Sequence, residues 1–173
     1  TPPLSGLVGS VMCIRDSYNI DPLFVAAMIR EESRYNAEVV SPAGARGLMQ
    51  VMVPTGKAIA KKIKFPDFKG EMLFNPKVNI QFGTWYMSDL MREFNNNCSL
   101  VAGAYNGGPN RIKGWLQKAK PEKVINLSPT SIISQIDIDE FVENIPIDET
   151  RRHIKKVMDS YSIYRCLLYT SPS

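Results

Sequence analysis

The sequence predicts a mainly α domain, either all-helical or a helix-dominated α+β fold. Three observations carry this. Apolar residues recur at helical spacing along several stretches. Two of those stretches, at Asp21-Pro22 and Asn75-Pro76, open with a capping side chain directly before a proline, the residue favoured at the first helical position. No segment alternates apolar and polar residues long enough to build a sheet of any size.

The first helix is expected to start at Asp21-Pro22, with Val25, Met28, Ile29 and Glu32 following at i, i+3, i+4 and i+7. A carboxylate therefore ends an apolar stripe. Its neighbour Glu31 lies about 100° around the helix, near Arg30 and Arg34 and on the expected polar side. Residues 41–47, SPAGARG, form a turn, because one proline and two glycines in seven positions bend the backbone or let it approach something closely. The short segment 48–52 follows. Thr55 is the expected cap of a helix running to about Ile63, and residues 64–70 read as a loop. The helix opened by Asn75-Pro76 carries Gly83, Tyr86, Met87, Leu90, Met91 and Phe94 on one face, with Asn79 and Ile80 on its backward extension. A further helix is expected over residues 99–106, stopped by Gly107-Gly108-Pro109, and a short one over 111–116. Residues 118–138 are poorly patterned. The last helix presents Ile154, Val157, Met158 and Tyr161 on one face, with Asp148 and Glu149 near its start, where the helix dipole favours acids.

At 173 residues, 44% hydrophobic and 22% charged, the chain suits one ordered domain. Its longest wholly apolar run in the patterned region, Leu23 to Ile29, is far too short to span a bilayer, for which about 18 residues are needed. The net charge of +4 is spread among acids rather than gathered in a block, which argues against a nucleic-acid partner. Three cysteines, Cys13, Cys98 and Cys166, lack C-x-x-C spacing, and His153 is the single histidine. That composition supports neither a metal site nor a disulfide framework, and no cofactor is expected. Residues 1–17 and 166–173 lack the periodicity of everything between them and resemble translated sequencing-adapter sequence. The domain is therefore expected to occupy 18–165, and the functional reading leaves both ends aside.

Glu32 is the candidate acid. Breaking a glycosidic bond needs a proton for the leaving oxygen, and a carboxyl held among apolar groups keeps its proton near neutral pH, since burial disfavours the charged form. The alternative reading is that Glu32 only marks where the buried face meets solvent.

Four blocks then stand in order: IREESRYNAEVVSPAGARGLMQVM, NPKVNIQFGTWYMSDL, AGAYNGGPNRIKGWL and ENIPIDETRRHIKKVMDSYSIY. Together they resemble the soluble lytic transglycosylase family, covering roughly residues 18–165. The first resembles the family's helix-borne Glu-Ser pair followed by Ser-Pro-x-Gly-Ala-x-Gly-Leu-Met-Gln. The others resemble its Asn-Pro-x-x-Asn-Ile-x-x-Gly, Ala-Tyr-Asn-Ala-Gly-Pro and Ile-Pro-x-x-Glu-Thr-Arg segments.

The resemblance implies a lysozyme-like helical fold with a small β element near the 41–47 turn. It implies Glu32 as the sole catalytic acid, with Ser41, Gln50, Met52, Tyr105, Asn106 and Glu149 matching positions that line the cleft. The implied substrate is a peptidoglycan glycan strand, cut at the β-1,4 bond between N-acetylmuramic acid and N-acetylglucosamine. Glu32 would protonate the leaving oxygen and then accept the proton of the muramyl 6-hydroxyl, which closes a 1,6-anhydro ring without water. One carboxyl would thus suffice where most glycoside hydrolases use two. The resemblance also implies export to the periplasm or cell envelope, by a signal lying outside this chain.

Bland readings stand beside these roles: Ser41 as a turn stabiliser, Met52 as core filler, Gln50 as a partner for nearby backbone, Tyr105 as a core aromatic and Glu149 as a helix N-terminal acid. Gly44, Gly47, Gly83 and Gly107 are expected to serve backbone geometry and close packing. The chain departs from the family pattern at Gly107, commonly alanine, and at Val53, which stands between Met52 and Pro54 where the family has a direct Met-Pro step. Two rival functions share the fold: a goose-type lysozyme that releases a reducing sugar by water attack, and a non-catalytic wall-binding module.

Overall fold

The computed structural model describes residues 18–119 and 129–169. Within them the regular elements are helices and one two-stranded sheet. Helix α1, Pro22–Ser33, starts as its sequence requires. Asp21 Oδ1 accepts the amide of Leu23 at 2.9 Å, and Arg34 closes the helix in the left-handed region at φ 52°. Val25, Met28 and Ile29 are fully buried, as the spacing predicts, joined by Phe24 and Ala27.

The sheet pairs β1, Ala45–Arg46, with β2, Val51–Met52, antiparallel, Ala45 facing Met52 and Arg46 facing Val51. This is the small β element expected beside the 41–47 turn. Helix α2, Val53–Lys62, begins before the expected Thr55 cap. Pro54 explains the shift: its fixed φ suits the first turn, so the helix enters from Met52 without a side-chain cap. A 3-10 turn, Gly70–Phe74, follows the expected loop and leads into Asn75.

Asn75 Oδ1 accepts the amides of Lys77 at 3.0 Å and Val78 at 3.4 Å to open α3, Pro76–Glu93. Helix α4, Cys98–Gly107, is capped by Asn97 and stopped at Gly108, φ 90°. Helix α5, Pro109–Ala119, is longer than its sequence suggests. Short helix α6, Pro129–Ile133, lies in the poorly patterned stretch, whose residues 120–128 fall outside the described residues, and α7, Ile138–Glu143, starts at its last residue. Helix α8, Asp148–Tyr169, runs past residue 165 into the segment set aside from the domain, with Cys166 and Leu167 exposed.

The core gathers Phe24, Met28 and Ile29 of α1, Leu48, Met49 and Val51, Phe82, Met87 and Leu90 of α3, Leu100 and Val101 of α4, and Ile154 and Val157 of α8. Each such side chain contributes about 1.5–3 kcal/mol when fully buried. Helix α8 packs against both α1 and α4. That places α8 over the stretch of α1 that carries both glutamates.

Candidate active site

Glu31 and Glu32 are both largely shielded, their side chains 18% and 14% exposed. The expected polar side of α1 is thus half-covered, because α8 lies over it. Burial does not separate the two acids; their partners do. Glu31 accepts a hydrogen bond from Ser160 Oγ at 2.7 Å and sits 3.5 Å from Arg30 Nε. The Glu32 carboxyl instead has the imidazole Nε2 of His153 3.5 Å away, beyond ordinary hydrogen-bond length.

That setting determines the protonation of Glu32. Burial, then the negative charges of Glu149 and Glu31, push its carboxyl up to about 8 from an ordinary 4.5. At neutral pH it carries a proton, as an acid for a leaving oxygen must. Burial, reinforced by Lys156 and opposed by Glu31, pushes His153 down to about 4, so the imidazole is neutral. Glu149 is exposed in the first turn of α8, one turn before His153, and acts on Glu32 through its charge.

Tyr105 forms another wall. Its hydroxyl donates to the backbone carbonyl of Met49 at 2.8 Å, and its ring lies 5.4 Å from that of Tyr86. Burial, with Glu32 and Tyr86 nearby, raises the Tyr105 hydroxyl well above its ordinary value, leaving it a neutral donor. Asn106, the next residue, accepts from Thr150 Oγ1 at 2.9 Å, which joins α4 to the start of α8 beside Glu149.

The 41–52 segment is held as a unit. Ser41 Oγ accepts the amide of Ala45 at 3.0 Å, and the amide of Gly44 bonds back to the Ser41 carbonyl at 2.8 Å. Gln50, at φ 47°, donates from Nε2 to the carbonyls of Gly47 at 2.9 Å and Val39 at 3.2 Å. Ser41 and Gln50 therefore spend these bonds on backbone of their own segment, not on Glu32. Met52 is 37% exposed at the entry to α2.

Asn79 fastens this segment to α3. Fully buried, it accepts the amide of Met49 at 2.7 Å and donates to the carbonyls of Arg46 and Leu73, each at 2.7 Å. Gly47, φ 74°, lies so close that a Cβ would fall 2.3 Å from the Leu73 carbonyl and 2.4 Å from Asn79 Nδ2. Gly83 is packed just as tightly, with a Cβ 2.4 Å from Met49 Sδ. The expectation that these two glycines serve close packing is borne out.

Glu32, Glu149 and Tyr105 thus converge, with Asn106 held beside them. Ser41, Gln50 and Met52 belong to the turn that Tyr105 grips at Met49. His153 and Ser160 are the additions that the candidate residues lacked. A signal for them exists in the sequence: Glu149, His153, Lys156 and Ser160 stand at i, i+4, i+7 and i+11, a polar stripe beside the apolar stripe of α8.

Over residues 12–127 the chain matches the family described as the transglycosylase SLT domain. The chain belongs to that family. A soluble lytic murein transglycosylase of Salmonella typhimurium is 36% identical to this SLT domain over 148 residues, 85% of the chain and 21% of the relative. The crystal structure of the 70 kDa soluble lytic transglycosylase of Escherichia coli superposes at TM-score 0.79 with 32% identity, covering 92% of this chain and 24% of that one. A lytic transglycosylase from Pseudomonas aeruginosa, solved as an inactive glutamate-to-glutamine mutant, gives TM-score 0.76 at 29% identity, covering 95% and 24%. The chain therefore spans about a fifth of the curated relative's length.

Proposed function

We propose that this SLT domain cleaves the β-1,4 bond between N-acetylmuramic acid and N-acetylglucosamine in peptidoglycan, without water, leaving 1,6-anhydromuramyl ends. The observation that carries the reading is the state of Glu32: a shielded carboxyl, protonated at neutral pH, with the neutral imidazole of His153 beside it and no Lys or Arg paired to it among the described residues. The names of the similar proteins, murein and lytic transglycosylases, support the same chemistry.

The protonated Glu32 donates to the glycosidic oxygen as the bond to the anomeric carbon breaks. The resulting carboxylate then takes the proton of the muramyl 6-hydroxyl while that oxygen bonds to the anomeric carbon, and the acid is regenerated. A hydrolase with two working carboxyls would hold a second one ready as base or nucleophile. Glu31 is poorly suited to this, being engaged by Ser160 and Arg30. Glu149 serves the first step through its charge, which adds to burial in keeping Glu32 protonated. Tyr105 and Asn106 face the sugar, and Ser41, Gln50 and Met52 form the cleft wall opposite the acid. Acting on the wall places the protein in the periplasm or cell envelope; no helix among the described residues is long and apolar enough to cross a membrane.

The test is digestion of purified peptidoglycan by the chain and by Glu32→Gln, with products weighed by mass spectrometry. Anhydro products from the wild type alone are expected, the variant losing activity by about a thousandfold or more, consistent with loss of a general acid. Products heavier by one water would reassign the domain as a hydrolase. Equal release by both proteins would remove Glu32 from the chemistry, and no release by either would leave a wall-binding module.

A further inference from the structure

Building on that reaction, we propose that His153 is a positioning residue for Glu32, its Nε2–H orienting the carboxylate and stabilising it once the proton has gone to the glycosidic oxygen. Nε2 lies 3.5 Å from Glu32 Oε1, and the two side chains are 11% and 14% exposed. Nε2 is buried from solvent and has no hydrogen-bond partner among the described residues. A buried N–H left unpaired is costly, and hydrogen bonds at catalytic centres are often long before substrate is bound and tighten afterwards. A small rotation of either side chain would close the contact.

The surrounding groups leave this pairing open. Glu31 on α1 is engaged by Ser160 and Arg30, so it does not compete for the imidazole. Tyr105 of α4 faces Glu32 but commits its hydroxyl to the Met49 carbonyl, with Tyr86 of α3 behind it. On α8 itself, Glu149 and Lys156 are exposed on either side of His153. Burial outweighs the opposing charge of Glu31 and, with Lys156, keeps the imidazole neutral through the working range, so the contact is a hydrogen bond and not an ion pair. With its proton on Nε2, the ring donates to the ionised carboxylate. It gains and loses no proton itself: the proton given by Glu32 resides on the leaving oxygen, and the one Glu32 takes back comes from the muramyl 6-hydroxyl. A neutral donor suits an acid that must be protonated at rest and ionised in mid-reaction. A permanent cation there would hold Glu32 ionised from the start.

The experiment compares wild type, H153F and H153Q on purified peptidoglycan strands, measuring kcat and KM across pH. H153F keeps a ring but no donor. H153Q places an amide nitrogen near the position of Nε2. For H153F, kcat is expected to fall about tenfold, the scale of a hydrogen bond to a charged group, with KM little changed and the alkaline limb of the profile moved to higher pH. H153Q should restore most of kcat and return the limb towards that of wild type. An H153F enzyme with unchanged kcat and limb, or an H153Q enzyme as impaired as H153F, would overturn the proposal. Should H153F fail to fold, H153M replaces it in the same assay. Should the wild type release no anhydro product, the reaction proposed above fails. The role of His153 is then decided by following the Glu32 carboxyl by carbon-13 NMR: its titration midpoint must rise in the donorless variant and not in H153Q.

Discussion

The two halves of the site are built by opposite rules. In the 41–52 turn, polar groups find partners: Ser41 bonds Ala45, Gln50 bonds Val39 and Gly47, and the buried Asn79 satisfies Met49, Arg46 and Leu73. Across the cleft, where α1 meets α8, Glu32 and His153 lie largely shielded side by side with their contact still open. The turn spends its hydrogen bonds on fixing shape. The helix pair spends one on Glu31, through Ser160, and gives Glu32 none among the described residues, while burial and the charges of Glu149 and Glu31 keep that carboxyl protonated at neutral pH. Rigidity on one side and unmet polarity on the other are therefore complementary, since a poised acid is useful only against a wall that does not move.

The comparison can be broken first at the turn. Asn79→Ala leaves one buried N–H and two carbonyls without the partner they now have. It should cost about 4 kcal/mol, read as a lower urea midpoint, because each orphaned buried group costs about 1–3 kcal/mol and some will find water. A loss under about 1 kcal/mol would show that the turn holds without Asn79.

The helix side answers with the opposite sign. The Glu32 carboxyl keeps its proton up to about 8 in the fold, against 4.5 when solvated. Below pH 4.5 it is neutral in both states and the fold bears no penalty. As pH rises from there to about 8, the unfolded state gains by ionising and stability is lost. E32Q should therefore melt close to wild type near pH 4.5 and become progressively more stable than it up to about pH 8, by on the order of 3 kcal/mol. A gap that stays constant with pH would mean that Glu32 is solvated after all. Removing an active-site acid would then gain no stability, contrary to what unmet polarity predicts.

The smallest expected effect lies where the halves touch. Tyr105→Phe removes the hydroxyl that holds the Met49 carbonyl. Its cost should be about 1 kcal/mol of stability, with a larger proportional loss of turnover on peptidoglycan, because the turn is then free to shift relative to the acid. Unchanged turnover would separate the two halves.

Much of this was legible in the residues. Local signals are chemical and short-ranged, so the Asp21-Pro22 and Asn75-Pro76 starts and the apolar stripe of α1 could be read directly. So could Glu32, at the end of that stripe. Thr55 misled because a proline one position earlier supplies the helix start without a cap. Helix α7 escaped because six residues offer too few turns for a period to show. Glu31 was assigned to the polar side because nothing within α1 reveals that α8, 129 positions further on at Ser160, covers it. His153 was hidden for the same reason. Its spacing from Glu149 and Ser160 is plain on α8, but its meaning depends on which helix lies opposite. Helical periodicity tells which residues share a face; only tertiary packing tells what that face meets.

The placement of α8 also sets an order of events during synthesis. The acid is made early, on the first helix described, while the groups that surround it, from Glu149 to Ser160, arrive on the last. A chain that lacks α8 would lose the cover of His153 and the charge of Glu149, so the Glu32 carboxyl is expected to fall back towards the ordinary carboxylate range. For the proposed reaction, competence to cut therefore rests on α8, the last helix among the described residues.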